Sequence, residues 1–109
     1  MVHVRELLLE EGSSPYAKWF NGLPANVAAK ITVSILRMQQ GNFSNIKWFK
    51  GIGEYKINFG PGWRVYLAKE GEKIIILIGG GSKTSQKKDI SRALELWKDY
   101  KHRKRTHRR

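Results

Sequence analysis

Apolar residues recur at two different spacings along this chain, and the change from one to the other divides it. Residues 2–9 (VHVRELLL) read as a first strand. Gly12-Ser13-Ser14-Pro15 follows. It supplies a capping serine and then a proline, whose fixed φ and missing N–H suit a helix start. A short helix through Tyr16, Trp19 and Phe20 should stop near Gly22. A second opens at Pro24 and runs to Gln40, ending at Gly41-Asn42, with Val27, Ile31, Ile35 and Met38 on one face. From Ile46 the period drops to two. Tyr55, Ile57 and Phe59 alternate with Glu54, Lys56 and Asn58; Gly60-Pro61-Gly62 turns the chain; Trp63, Val65 and Leu67 alternate with Arg64 and Tyr66. Glu70-Gly71-Glu72 turns it again into Lys73–Ile78, a run apolar on both faces that predicts a central strand. Gly79-Gly80-Gly81-Ser82 reads as a glycine-rich loop leading to a last helix from about Ser85. There Ile90, Ala93, Leu94, Trp97 and Tyr100 form a core-facing stripe. The order β-α-α-β-β-β-β-α predicts an α+β fold, an antiparallel β-sheet with two N-terminal helices and a C-terminal helix.

With 109 residues the chain has room for one core. The reading is one domain over residues 1–100 and a basic C-terminal tail over 101–109. No apolar run approaches the ~18 residues a membrane span needs, and the first residues lack a secretory layout, so a cytoplasmic address is expected. Cysteine is absent, which excludes disulfides and thiolate metal sites.

Charge sharpens the picture. The net charge is +12, and residues 47–109 hold seventeen basic and six acidic side chains against four and three in residues 1–46. The tail alone has six cations and no acid, among them Arg103, Lys104 and Arg105. Such asymmetry suits a polyanion, since each cation set on a phosphate releases counterions; a solubilising surface is the other reading of the tail.

The three histidines, His3, His102 and His107, lie near the termini, and the nine acids are scattered. Paired-histidine, metal-dependent and triad chemistry are therefore not expected, and no cofactor or metal is assigned. Gly79–Thr84 fails the P-loop spacing but, at a helix start beside Lys83, reads either as a phosphate-holding turn or as a flexible connection. Alternation in the strands predicts that Lys47, Glu54, Lys56, Arg64 and Tyr66 share an open sheet face, with Lys83 at its end. That set suits RNA cleavage by 2′-OH attack on the adjacent phosphate. Arginine is permanently charged and bidentate toward the phosphorane, crowded lysines give up a proton more readily, and Glu54 serves as a base or orients the lysines. Tyr66 and Trp48 are candidates to stack on bases, Trp48 equally a core residue, and Lys87 and Lys88 to hold the backbone.

Three stretches carry a family resemblance: Gly51-Ile52-Gly53-Glu54-Tyr55-Lys56-Ile57, Gly60-Pro61-Gly62-Trp63-Arg64-Val65-Tyr66, and Gly79-Gly80-Gly81-Ser82-Lys83-Thr84-Ser85-Gln86-Lys87-Lys88-Asp89-Ile90. They resemble the HigB-like "addiction module killer" branch of the RelE/ParE toxins, over roughly residues 2–98. The resemblance implies a RelE-like fold and a ribosome-dependent mRNA endonuclease, neutralised by a small antitoxin that often carries a helix-turn-helix. By position, Arg64 matches the family's sheet arginine and Lys83 its loop cation, and Lys47 and Glu54 also align. Lys56 replaces the usual arginine, Trp63 the usual tyrosine and Ser82 the usual aspartate, while Ile90 occupies the neighbourhood of a tyrosine used in the RelE branch. Two other readings stay open: a ParE-type toxin that poisons DNA gyrase, and a non-catalytic nucleic-acid-binding protein.

Overall fold

The helix signals in the first third act as their chemistry requires. Ser14 accepts a hydrogen bond from the Ala17 N–H at 3.0 Å and caps α1 (Pro15–Asn21), whose first residue is the proline. Pro24 precedes α2 (Ala25–Gln39), and Gly41, at φ 84°, takes the left-handed conformation that ends it. A computed structural model describes residues 1–106 of the chain. Its strands are β1 (His3–Glu6), β2 (Ile46–Phe49), β3 (Ile52–Ile57), β4 (Trp63–Glu70) and β5 (Ile74–Ser82). A short 3-10 turn, Lys83–Ser85, leads into α3 (Gln86–Thr106).

The sheet has the order β1-β5-β4-β3-β2. Strands β2 to β5 form an antiparallel meander, whereas β1 pairs parallel to β5, so the whole sheet is mixed. The fold is α+β, with two N-terminal helices and a C-terminal helix as expected, in an arrangement consistent with a RelE-like fold. β4 is the central strand; the run Lys73–Ile78, expected there, falls on β5, one place out.

Two hydrophobic cores lie on opposite faces of this sheet. On one, α1 and α2 cover Tyr55, Val65, Leu67, Ile75 and Leu77 with Tyr16, Ile31 and Met38. On the other, α3 covers Tyr66, Ala68, Ile76 and Ile78 with Ala93, Leu96 and Trp97. The strand register read from the alternation is therefore right, but the face opposite α1 and α2 is not open: much of it lies beneath α3. Ile75 and Leu77 enter one core, Ile76 and Ile78 the other. A strand apolar on both sides needs cover on both.

The glycines expected in a loop are instead part of β5. Gly79, Gly80 and Gly81 pair with Tyr66, Val65 and Arg64, after a bulge in which Ile78 is the additional residue. Close approach explains why they are glycine. A Cβ on Gly80 would lie 2.4 Å from the Trp19 ring, and one on Gly81 would collide with the Asp89 carboxylate. The expected phosphate-holding turn is therefore absent, because these backbone groups lie in a strand.

The basic tail is not a separate segment over its described part. Residues 101–106 continue α3; His107, Arg108 and Arg109 lie outside the described residues. No helix among the described residues is long and apolar enough to cross a membrane.

Candidate functional site

β3, β4 and the start of α3 meet in a charged corner. Cross-strand pairing sets Lys47 opposite Glu54 and Glu54 opposite Tyr66, and in the adjacent row Lys56 opposite Arg64 and Arg64 opposite Gly81. All five expected sheet residues thus fall on the α3 face. They do not share one environment. Lys47 and Lys56 are exposed, whereas Glu54, Arg64 and Tyr66 are buried, at 7%, 4% and 1%.

Glu54 and Arg64 form an ion pair away from water, with Arg64 Nε 3.7 Å from Glu54 Oε2. Gln86, the first residue of α3, donates from Nε2 to the same carboxylate oxygen at 2.9 Å. Arg64 Nη1 donates to the Gly62 carbonyl at 2.7 Å, which ties the guanidinium to the β3–β4 turn. Gly62 sits at φ 81° in that turn, and a Cβ there would lie 3.3 Å from Arg64 Nη1 and 3.8 Å from the Lys83 Cβ. The turn, the arginine and the root of Lys83 are thereby packed together. Lys83 itself is exposed in the 3-10 turn, as expected at the start of the last helix, and Lys87 and Lys88 are exposed on the first turn of α3.

Tyr66 cannot stack on a base in this arrangement. Its ring is beneath α3, and its hydroxyl has no hydrogen-bond partner among the described residues. Burial first, and then the nearby Glu54 carboxylate, raise its phenol far above the ordinary value, so it stays protonated. Trp48 is displaced in another sense. It alternates with Lys47, faces the α1/α2 side and packs edge-on against Phe43, 44% exposed. It belongs neither to the charged corner nor to the sealed core.

The α3 end shows further differences from the expected free cations. Arg103 Nε lies 3.2 Å from Asp99 Oδ2, and its Nη2 donates to the Leu8 carbonyl at 3.0 Å. Lys104 Nζ donates to Glu70 Oε2 at 2.7 Å. Two of the three named tail cations are therefore engaged within the chain, and Arg105 is exposed.

Sequence reasoning gave no role to Gln86, Ser85 and Asp89. Ser85 Oγ donates to Asp89 Oδ2, closing the first turn of α3 beneath Gly81. The available signal was the helix start itself: a serine four residues before an aspartate, next to a glycine that only close approach explains. Among the described residues no three His, Asp or Glu side chains gather where they would hold a metal ion.

The arrangement can present exposed lysines around a fixed scaffold. Glu54 and Arg64 largely neutralise each other, so Lys47, Lys56, Lys83, Lys87 and Lys88 dominate the field outside the corner.

No protein-family model matches the chain. An uncharacterized protein of Haemophilus influenzae is 47% identical over 66 residues, which is 60% of this chain and 67% of that protein. At that identity and coverage, the chain and the Haemophilus influenzae protein belong to one family.

Proposed function

We propose that the protein is the toxin of a type II toxin–antitoxin pair, of the HigB-like RelE/ParE kind, and that it cuts mRNA on the ribosome in the cytoplasm without a metal. The observation that carries this reading is the corner where exposed Lys56 and Lys83 flank the buried Glu54–Arg64 pair. These residues lie within the stretches that carry the family resemblance.

In the reaction the 2′-oxygen bonds to the adjacent phosphorus and the P–O5′ bond breaks. The 2′-OH proton passes to a solvent water, and the leaving 5′-oxygen takes a proton from a lysine ammonium. Lys83 and Lys56 supply charge to the phosphorane. Lys47, Lys87 and Lys88 hold the flanking backbone. Arg64, expected to touch the phosphate, becomes a positioning residue, because its guanidinium is committed to Gly62 and Glu54. Glu54, held by Gln86 and buried, orients rather than abstracts. An acidic segment of a cognate antitoxin, a helix-turn-helix protein in the resemblance, would neutralise the protein by covering the corner.

One observation favours a second reading, a protein that grips RNA without cutting it: both candidate stackers lie outside the corner, Tyr66 buried and Trp48 on the other face. A translation reaction programmed with a defined mRNA separates these. Ribosome-dependent cleavage supports the first reading and binding without cleavage the second. Inhibition of gyrase supercoiling with neither would sink both.

A further inference from the structure

A groove of about 410 Å³ lies on the α1/α2 side of the sheet, between α2 and the segment Tyr55–Phe59. It falls within the roughly 300–1,000 Å³ usual for ligand clefts. Two cations of α2 line it, Lys30 and Arg37, Lys56 borders it from β3 with its side chain on the α3 face, and no acid lines it. None of the three has a carboxylate within ion-pair distance among the described residues. Two of the four basic residues of the first 46 positions stand here, in the half of the chain that is otherwise nearly neutral.

The placement has a period. Lys30 and Arg37 are seven residues apart on α2, two helical turns or about 10.5 Å along the axis. That spans about three stacked nucleotide steps, at roughly 3.4 Å each per strand. Lys30 is held over the Phe59 ring, with its Nζ 4.6 Å from the centroid. The groove also has something for the rest of a nucleotide. Val33 is 46% exposed along one wall, and the Asn45 amide donates to the Tyr55 hydroxyl at 3.3 Å on the other.

Lys56 stands between this groove and the charged corner: it borders the groove past the last residue of β3 that β2 covers, and its side chain lies on the α3 face as the cross-strand partner of Arg64. We infer that the groove between α2 and β3 binds the phosphates of single-stranded RNA, extending past the end of β3 the strand whose scissile phosphate lies at Lys56 and Lys83. The inference rests on the ribonuclease reading for the identity of the strand, and on the unpaired cations for its path.

The test is fluorescence anisotropy of the full chain with a short single-stranded RNA, 2′-O-methylated so that it is not cut, across a salt titration. Lys30→Gln with Arg37→Gln should weaken binding roughly tenfold and lower the slope of log affinity against log salt by about 1.4, at about 0.7 per phosphate contact. Both side chains are exposed, and melting measured alongside confirms that the variant is folded. Lys73→Gln, at the opposite end of the sheet, should change neither quantity. An unchanged double variant overturns the groove, and so does an equal loss from Lys73→Gln, which would mean diffuse charge. Adenosine monophosphate that binds through Lys30 and Arg37, while RNA affinity ignores them, overturns the RNA assignment in favour of a small anion. Binding with the expected dependence but no ribosome-dependent cleavage sinks the catalytic reading and leaves the groove standing. Cleavage by a protein whose groove variants bind like the wild type does the reverse.

Discussion

The two faces of the sheet are built from the same strands and end differently. On the α1/α2 face β3 and β4 are apolar through Tyr55 and Ile57, then Trp63, Val65 and Leu67, and only the far end of β4 is charged, at the exposed Lys69. On the α3 face β4 is charged at both ends and apolar between, running from Arg64 through Tyr66 and Ala68 to Glu70. α3 follows that order. Its first turn meets the Arg64 end with Gln86 and Asp89, its middle, with Ala93, Leu96 and Trp97, seals the apolar stretch, and Lys104 pairs with Glu70 at the other end. Alternation alone tells which face a residue joins, whereas the sequence along one face tells where cover stops and a site begins.

The largest effect is expected where charge is buried. Arg64→Ala should destabilise the fold by about 3–5 kcal/mol, because it leaves Glu54 enclosed without its counter-charge. Arg64→Met combined with Glu54→Gln should recover most of that loss, since the pair is removed together and Gln86 keeps an acceptor. Urea denaturation of Arg64→Ala, the double variant and its two single variants, Arg64→Met and Glu54→Gln, measures it; additive losses in the last three would mean that the two side chains act separately.

Next comes close packing on the other face. Gly80→Ala should cost about 1–3 kcal/mol, because the new methyl meets the Trp19 ring. Gly79→Ala, with open space around its Cβ, should cost less on the same thermal melt. Equal effects would mean that backbone freedom rather than Trp19 selects glycine at position 80. Smaller again is Tyr66→Phe. An unpaired buried hydroxyl costs about 1–3 kcal/mol, so its removal should leave the melting temperature unchanged or raise it. A clear drop would show that the hydroxyl has a partner, Glu54 being the nearest candidate.

Much of this contrast was legible in the sequence. The period-two alternation fixed which of residues 54–67 share a face, and the stripe on α3 was read correctly apart from Leu96. What failed was depth. Arg64, Glu54 and Tyr66 look like a solvated row, and only the seating of α3 across their strands buries them. The doubly apolar Ile74–Ile78 already required a second covering layer, which an open face contradicts. Gly79–Gly81 lie in a strand and not in the expected loop because glycine signals a loop and close approach in the same letters. The ring and the carboxylate that demand it, Trp19 and Asp89, are remote or unremarkable in sequence. In the tail, charge alone does not show that Asp99 and Glu70 stand within reach of Arg103 and Lys104.

Single-turnover cleavage of ribosome-bound mRNA by Lys83→Ala, with thermal melting on the same preparation, tests most directly whether the exposed lysines of the corner are the chemical site. Lys83 is exposed, so melting should shift by less than about 0.5 kcal/mol equivalent. Cleavage should slow by roughly 100-fold, the scale of losing one preorganised charge donor. Wild-type cleavage by a fully folded Lys83→Ala protein would contradict the assignment.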